Sequence, residues 1–431
     1  MSSPRPRIHP AWLVAAVTLV CLLVASAFRS SAGVLLQPLE DEFGWSRAAT
    51  SGAASLNLVV YGPAAPFAAA VMELWGPRRT VSASLLVVGL AAVASLFMDQ
   101  AWQLWLLWGL VIGLGTGALA LTFGAIVANR WFARHLGLVT GAFSAATAAG
   151  QVLFVPVVAQ AVAGPGWRVA VGTIAALTLL CAVLCWRVVR DWPGQAGVEA
   201  LGTGRPGSVP AAQPTDECPR GLREPLRSAV SALTRNWRRP AMVILLVSFA
   251  ICGWSTNGII QTHFVPAAHD HSMPATTAAG VIGLIGIFDV LGTVASGWLT
   301  DRYDPRWLLA VYYGLRGLSL IPINQMLEAH MTPALWLFVV FYGLDWTATV
   351  PPTIALCREH FGIRRSGVVF GWVYAAHMVG AGLGASVSGL LRSADGTYTR
   401  AWMLTAALCL GAAVLVLLDR RPRGPVTATP A

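Results

Sequence analysis

The chain has 431 residues, of which 56% are hydrophobic and only 11% are charged. Soluble globular domains carry about 25% charged residues, so this composition excludes a soluble enzyme, a nucleic-acid-binding protein and a disordered protein as descriptions of the whole chain. The formal net charge is +10 and all 29 basic residues are arginine, so the placement of those arginines decides what the charge means.

Apolar runs long enough to cross a membrane follow one another along the chain. A hydrocarbon core of about 30 Å needs about 20 apolar residues per helix, and twelve runs reach that length. They cover approximately residues 11–36, 50–72, 79–98, 102–128, 136–163, 168–188, 240–266, 276–299, 307–327, 333–356, 367–391 and 401–418. We therefore predict an all-α membrane protein with twelve transmembrane helices.

The longest polar interruption divides these spans into six plus six. Residues 189–239 are rich in Pro, Gly and Arg and contain no run that could span. The predicted domains are an N-terminal six-helix bundle (1–188), a cytoplasmic linker (189–239), a C-terminal six-helix bundle (240–419) and a cytoplasmic tail (420–431). Within the linker, the segment from Arg220 to Arg239 is predicted to form an amphipathic helix on the anionic inner leaflet.

The arginines set the predicted orientation. With the N-terminus in the cytoplasm, 23 arginines lie in cytoplasmic segments, four in outer loops and two inside spans. Membrane proteins concentrate positive charge in their cytoplasmic loops. We therefore predict a bacterial cytoplasmic membrane protein with both termini cytoplasmic, and we interpret the positive charge as a topology signal that involves no nucleic acid.

Two sequence patterns recur at nearly the same separation. The loop after the second span, ELWGPRR at 73–79, has a partner after the eighth span, DRYDPR at 301–306, and their acidic residues are 228 positions apart. The pair Gly137-x3-Gly141 recurs as Gly367-x3-Gly371, 230 positions on. These matches predict two parallel copies of a six-helix unit, an arrangement typical of secondary transporters that bind substrate near the midplane.

Together these features resemble the major facilitator superfamily over essentially all twelve spans. The family's signature is an acidic-Arg-x-Gly-x-Arg-Arg loop between the second and third spans, echoed between the eighth and ninth; here Leu74 replaces the first Arg and Asp304 replaces the second Gly. The resemblance implies that this loop latches the cytoplasmic gate through charge and helix-dipole contacts, unless its charges serve topology alone. The gating residues would be Glu73, Arg78, Arg79, Asp301, Arg302 and Arg306.

A narrower resemblance points to the monocarboxylate-porter and oxalate/formate-antiporter branch. It is carried by the stretch 33–47 that closes the first span, by the Gly-rich fourth span that leads to Arg130-Trp131-Phe132, and by Gly166-Trp167-Arg168. Members of this branch move small organic anions, often with a proton. Those porters carry an Arg one turn after an acidic residue in the eighth span, whereas this chain has Thr293 one turn after Asp289.

Five ionisable residues lie inside predicted spans, where a charge costs roughly 2.5–3.5 kcal/mol: Arg29, Asp289, Arg316, Asp345 and His377. Arg29 is predicted to hold the substrate anion, because a guanidinium matches a carboxylate; snorkelling and an internal pair are the alternatives. Arg316 is predicted to form a structural ion pair with Asp345 or Asp289. Either aspartate is also a candidate for proton coupling, since desolvation disfavours a charged carboxylate.

Polar residues, among them His377, form short stripes on spans that line the cavity in this fold. They are Trp254, Asn257 and Gln261, then Asn57 and Tyr61, and finally Tyr374 with His377. We predict that these side chains shape the substrate site, although interhelical hydrogen bonds in membranes produce similar stripes.

We therefore predict a secondary active transporter, not an enzyme, that moves a small monocarboxylate-like anion with a proton by alternating access. It would need no cofactor or metal and would act as a monomer in the bilayer. Two alternatives stay open: a transporter of aromatic, heterocyclic or drug-like compounds, which the 18 tryptophans favour, and a receptor that binds ligand without translocating it.

Overall fold

The chain folds into a helical bundle, in a computed structural model that describes residues 9–205, 208, 221 and 223–419. Some side chains within helices, including that of Arg29, and the predicted tail at 420–431 lie outside the described residues. The spans, first to twelfth, are Pro10–Phe43, Arg47–Trp75, Pro77–Ser95, Ala101–Trp131, Leu136–Ala163, Trp167–Val188, Pro240–Asp270, Ala275–Thr300, Pro305–Leu320, Pro333–Phe361, Ser366–Asp395 and Thr399–Leu417.

Eleven of these described segments are long and apolar enough to cross a membrane. The ninth span has 16 residues, which rise about 24 Å at 1.5 Å each. It is followed by a second short helix, Ile323–Met326. Five spans begin with proline at their first turn, where its missing N–H costs no hydrogen bond.

Three spans are irregular. The fourth contains a π-helix, Trp105–Ile112, and is interrupted again at Leu119 and Ala120 before Leu121–Trp131. The seventh contains a second π-helix, Trp254–Ile260. The tenth consists of two helices, Pro333–Asp345 and Val350–Phe361, because the prolines at its second helix cannot donate to the preceding turn.

The spans pack as two halves that meet through glycine. Gly137 and Gly141 of the fifth span lie against the backbone of the eighth, whereas Gly367 and Gly371 of the eleventh lie against the second and fourth. A side chain at Gly137 would collide with the carbonyl oxygen of Gly297. The repeated glycine pairs of the sequence therefore occupy equivalent interfaces between the halves.

One end of the bundle carries most of the loop arginines, and we call it the Arg-rich end; it holds the loops after the second, fourth, eighth and tenth spans. The opposite end is the Arg-poor end. Tryptophans with exposed rings lie near both ends: Trp12, Trp186, Trp237, Trp298 and Trp307 near the first, and Trp102, Trp105 and Trp336 near the second. Such belts are typical of the two membrane–water interfaces.

Candidate functional site

Asp301 closes the Arg-rich end between the halves. It follows the eighth span, and its carboxylate accepts hydrogen bonds from the backbone N–H groups of Gly137 at 2.7 Å and Leu138 at 3.0 Å. These N–H groups belong to the first turn of the fifth span, where the helix leaves its donors unpaired and its dipole favours negative charge. One carboxylate thus joins the C-terminal half to the N-terminal half.

Glu73 occupies the corresponding place at the other interface. A Cβ on Gly367, in the first turn of the eleventh span, would lie 3.1 Å from its Oε1. Here, however, Arg130 of the fourth span donates to Glu73 at 2.9 Å and is itself almost wholly buried. The polar bond across this interface comes instead from Asn129, whose Nδ2 donates to Ser366 Oγ at 3.0 Å.

Arg78, Arg302 and Arg306 contact their own half or the adjoining linker. Arg78 donates through its backbone N–H to Asp191 Oδ1 at 2.9 Å, and Arg302 stacks on Trp298 with 3.8 Å from guanidinium carbon to ring centroid. Arg306 pairs with Asp304 at 2.7 Å, and Arg79 is exposed. Of the six predicted gating residues, Glu73 and Asp301 are therefore the two whose side chains lie against the other half of the bundle.

The contacts between the halves extend from the Arg-rich end to about mid-depth. At mid-depth Tyr61 of the second span lies 3.2 Å from Tyr374 of the eleventh, oxygen to oxygen. Val152 of the fifth span lies beside Gly286 of the eighth at a similar depth. These contacts between the fifth and eighth spans, and between the second and eleventh, lie at mid-depth or nearer the Arg-rich end. The described helices are therefore closed at that end.

Some residues of the predicted polar stripes lie at this central level, whereas others pack against a neighbouring span. Tyr61, Tyr374 and His377 come together: the Tyr374 and His377 rings are stacked with centroids 5.7 Å apart. Asn57 instead donates to the carbonyl of Trp108 in the fourth span at 2.7 Å.

The stripe on the seventh span coincides with its π-helix. Trp254 donates to Thr405 of the twelfth span at 3.0 Å, whereas Asn257 is half-buried and Gln261 is exposed. A π-helix has a wider turn than 3.6 residues, so residues spaced for one α-helical face do not stay on one face.

Arg29 lies in the helix Pro10–Phe43, and its side chain is outside the described residues. At 1.5 Å per residue it is roughly 28 Å along that helix from Pro10, toward the Arg-poor end. One turn earlier, the first span packs closely on the fifth, where a Cβ on Gly150 would collide with Ser26.

Arg316 and Asp345 form a buried ion pair in the C-terminal half. Arg316 donates its Nε to Asp345 Oδ2 at 2.6 Å. Its other N–H groups donate to the carbonyl oxygens of Asp345 and Trp346, to Ser255 Oγ and to Cys252 Sγ. All five guanidinium donors therefore have acceptors, and the ninth span is tied to the seventh and tenth.

Asp289 lies beside the break in the tenth span. Its Oδ1 accepts from the Thr347 backbone N–H at 2.9 Å, from the Thr347 hydroxyl at 2.7 Å and from Thr293 at 2.9 Å. Within the described part of the chain, no donor reaches Oδ2 and no arginine bonds to this carboxylate. Asp289 is 2% exposed, so it is a buried carboxyl group with one oxygen available for a proton.

Three residues at these sites were not predicted from the sequence. Asn129 and Arg130 stand at the end of an apolar run, and the motif Arg130-Trp131-Phe132 assigned neither side chain a role between the halves. Thr347 stands between Asp345 and Pro351. Its contact with Asp289 depends on the break in the tenth span, which turns the Thr347 N–H toward the eighth span. The pair Pro351-Pro352 was the available signal for that break.

Removing the Asp301 carboxylate is expected to open the Arg-rich end. Asp301→Ala leaves two helix N–H groups without acceptors, which costs about 1–2 kcal/mol and shifts the population of the closed state about 5- to 30-fold. Spin labels at Arg134 and Tyr303, which are both exposed, would report the distance across this end. Asp304→Ala is the matched control, because Asp304 pairs within its own half. An unchanged distance distribution in Asp301→Ala would show that this bond does not hold the gate.

Comparison with protein families gives one match over most of the chain. A family model described as Major Facilitator Superfamily matches residues 18–384 and 264–431. Human (Homo sapiens) monocarboxylate transporter 11 is 26% identical over 430 residues, which cover 96% of this chain and 85% of that protein. The uncharacterized MFS-type transporter YcxA of Bacillus subtilis (strain 168) is 22% identical over 422 residues, with coverage of 95% and 93%.

Among solved structures, a double-tryptophan mutant of XylE has the same architecture. It matches with a TM-score of 0.74 at 12% sequence identity and covers 96% of this chain and 97% of its own. At this identity the likeness shows the fold alone.

Proposed function

Since the chain belongs to the major facilitator superfamily of membrane transporters, we propose that it moves a small organic anion of the monocarboxylate type together with a proton. The two halves would alternate access by rocking about the central contacts. The Arg-rich end would face the cytoplasm of a bacterial cell, so the closed end would be the cytoplasmic gate. The monomer would suffice, because the site lies between the two halves of one chain.

The observation that carries the proton assignment is the surroundings of Asp289. A buried carboxylate to which no cation bonds directly is costly in its charged form, so it favours binding a proton when the cavity is closed to water. Asp345 differs because Arg316 compensates its charge. We therefore assign proton coupling to Asp289 and a structural role to Asp345. XylE, which shares this fold, is a proton:xylose symporter.

The Thr347 contacts suggest how a proton at Asp289 changes the bundle. Hydrogen bonds to an ionised acceptor are roughly twice as strong as those to a neutral one. Protonation of Asp289 would therefore loosen its hold on the Thr347 N–H and hydroxyl. Thr347 lies at the break of the tenth span, where the helix can bend, so the proton would regulate movement of that span.

The anion would be held by Arg29, whose planar fork matches a carboxylate. Tyr61, Tyr374 and His377 would form the floor of the site at the level where the halves meet. Asn257 and Gln261 would line its wall, and Asn57 and Trp254 would position the helices around it. Support for a small anion also comes from the relative named monocarboxylate transporter 11.

The tryptophans give less support to an aromatic substrate than their number suggests. Eight of the 18 have exposed rings near the ends of the spans or in the linker, where membrane interfaces favour them. Uptake of aromatic or heterocyclic compounds is the outcome expected if no carboxylate is transported.

Uptake by proteoliposomes tests the proposed substrate class. Vesicles with an inside-alkaline pH gradient would be offered a pool of small carboxylates, and the contents read by mass spectrometry. The wild type is expected to accumulate at least one carboxylate, whereas Arg29→Gln is expected to lose at least about tenfold in uptake, the equivalent of a single charge-assisted contact. Arg168→Gln is the matched control, because Arg168 pairs with Glu42 at the Arg-poor end. Folded protein that takes up no carboxylate would contradict the proposal.

A further inference from the structure

The linker between the halves contains a helix that contacts both of them. This linker helix, Arg223–Thr234, packs on the second and eleventh spans at the Arg-rich end. Ala229 and Ala232 are buried in the contact, and the backbone carbonyl of Ala229 accepts a hydrogen bond from Trp372 Nε1 at 2.8 Å. Trp372 in turn packs edge-on against Phe67 of the second span. The linker helix therefore lies across the closed interface.

A second face of the linker helix has no protein partner among the described residues. Leu226 and Val230, one turn apart, are 45% and 47% exposed, and Trp237 after the helix is 53% exposed. Trp237 lies three residues before Pro240, where the seventh span begins. An apolar strip ending in tryptophan at the start of a span is at the depth of the lipid headgroups.

Arginines surround this apolar strip. The segment 223–239 carries five arginines and one acidic residue, and its described arginines are all exposed: Arg223, Arg227, Arg235, Arg238 and Arg239. Arg238 stacks over the Trp237 ring at 4.9 Å, so the cation and the aromatic ring share one location. Basic residues that flank an apolar strip suit a surface that is negatively charged outside and apolar beneath.

We propose that the linker helix binds anionic phospholipid headgroups of the adjacent leaflet and that this contact stabilises the closed Arg-rich end. Leu226, Val230 and Trp237 would enter the headgroup region while the arginines contact phosphates. Since the neighbouring face of the same helix packs on both halves, lipid binding would favour the arrangement in which they are together. The partner is identified by its charge and by the position of the helix beside the seventh span, independently of the transported substrate.

Amide hydrogen exchange of the full chain in nanodiscs tests the lipid contact. Residues 223–237 are expected to exchange more slowly in discs that contain phosphatidylglycerol than in phosphatidylcholine alone, and the difference should vanish at high salt. Replacing Arg223, Arg227, Arg235 and Arg238 by Gln should remove the difference, with about a fivefold loss of protection per arginine. Replacing the same four by Lys should keep it, because the charge is retained.

Equal protection in both kinds of disc would overturn the proposal, since packing on the bundle would then account for the helix. Protection that grows with protein concentration would assign the face to a second copy of the chain and would also overturn it. The comparison of wild-type exchange between the two kinds of disc remains a valid test even if the Gln variant fails to fold. Exchange within the spans serves as the internal reference.

Discussion

Asp289→Asn is expected to abolish accumulation of substrate against a gradient while exchange of substrate across the membrane survives. The asparagine oxygen can still accept from Thr347 and Thr293, so the break in the tenth span keeps its contacts. The amide cannot take up or release a proton. For one proton per anion, the wild type should reach about tenfold accumulation per pH unit, whereas the variant should equilibrate only.

Two transport measurements separate these outcomes. Uptake driven by a pH gradient reports coupling, and counterflow between preloaded vesicles and medium reports exchange without a gradient. Asp270→Asn is the matched control: Asp270 also lies on a span of the C-terminal half but pairs with Arg392 near the Arg-poor end, so it should keep accumulation. Gradient-driven accumulation by Asp289→Asn at the wild-type level would refute the assignment of the proton to this residue.

Breaking the Arg316–Asp345 pair is expected to destabilise the C-terminal half strongly. Arg316→Leu leaves the Asp345 carboxylate buried without its cation, and such losses cost about 3–5 kcal/mol. The exposed pair Arg392–Asp270, in which each side chain is 33% exposed, provides the matched comparison. Arg392→Leu should cost at most about 1 kcal/mol, because solvent screens an exposed pair.

The double variant Arg316→Leu/Asp345→Leu distinguishes a structural pair from a functional cation. Removing both charges should recover much of the stability lost in Arg316→Leu, since apolar residues often replace a buried pair without loss. Thermal unfolding in detergent would measure stability, and counterflow would measure function. If Arg316→Leu unfolds no earlier than Arg392→Leu and still loses transport, Arg316 acts on substrate and the structural assignment is wrong.

The sequence was sufficient to predict the fold class, and the family match and the XylE likeness confirm it. The reason is that a bilayer imposes one length and one composition on every crossing helix. The repeats were also readable, because glycine pairs 230 positions apart lie at equivalent interfaces between the halves. The ninth span differs from the predicted run 307–327 in length: its helix ends after 16 residues and a short second helix follows it.

The site was less predictable, because its geometry depends on departures from the regular helix. Trp254, Asn257 and Gln261 fit a stripe on the seventh span at 3.6 residues per turn, but a π-helix in that span changes which side each residue faces. The break after Asp345 likewise directs the Thr347 N–H toward Asp289. Residue types and spacing predict which helices meet, whereas the directions of single side chains depend on local backbone that the pattern does not specify.

The latch between the halves is chemically one-sided, and this has a consequence for genetics. Asp301 supplies the carboxylate, but the groups that it binds are the backbone N–H atoms of Gly137 and Leu138. Every residue other than proline provides such an N–H, so many codons at position 138 preserve the bond. A selection for alleles with a loosened gate should therefore recover changes at codon 301 repeatedly and seldom at codon 138. Suppressors of an Asp301 allele would have to arise elsewhere in the interface, since no side chain faces Asp301 in this bond whose charge could be exchanged with it.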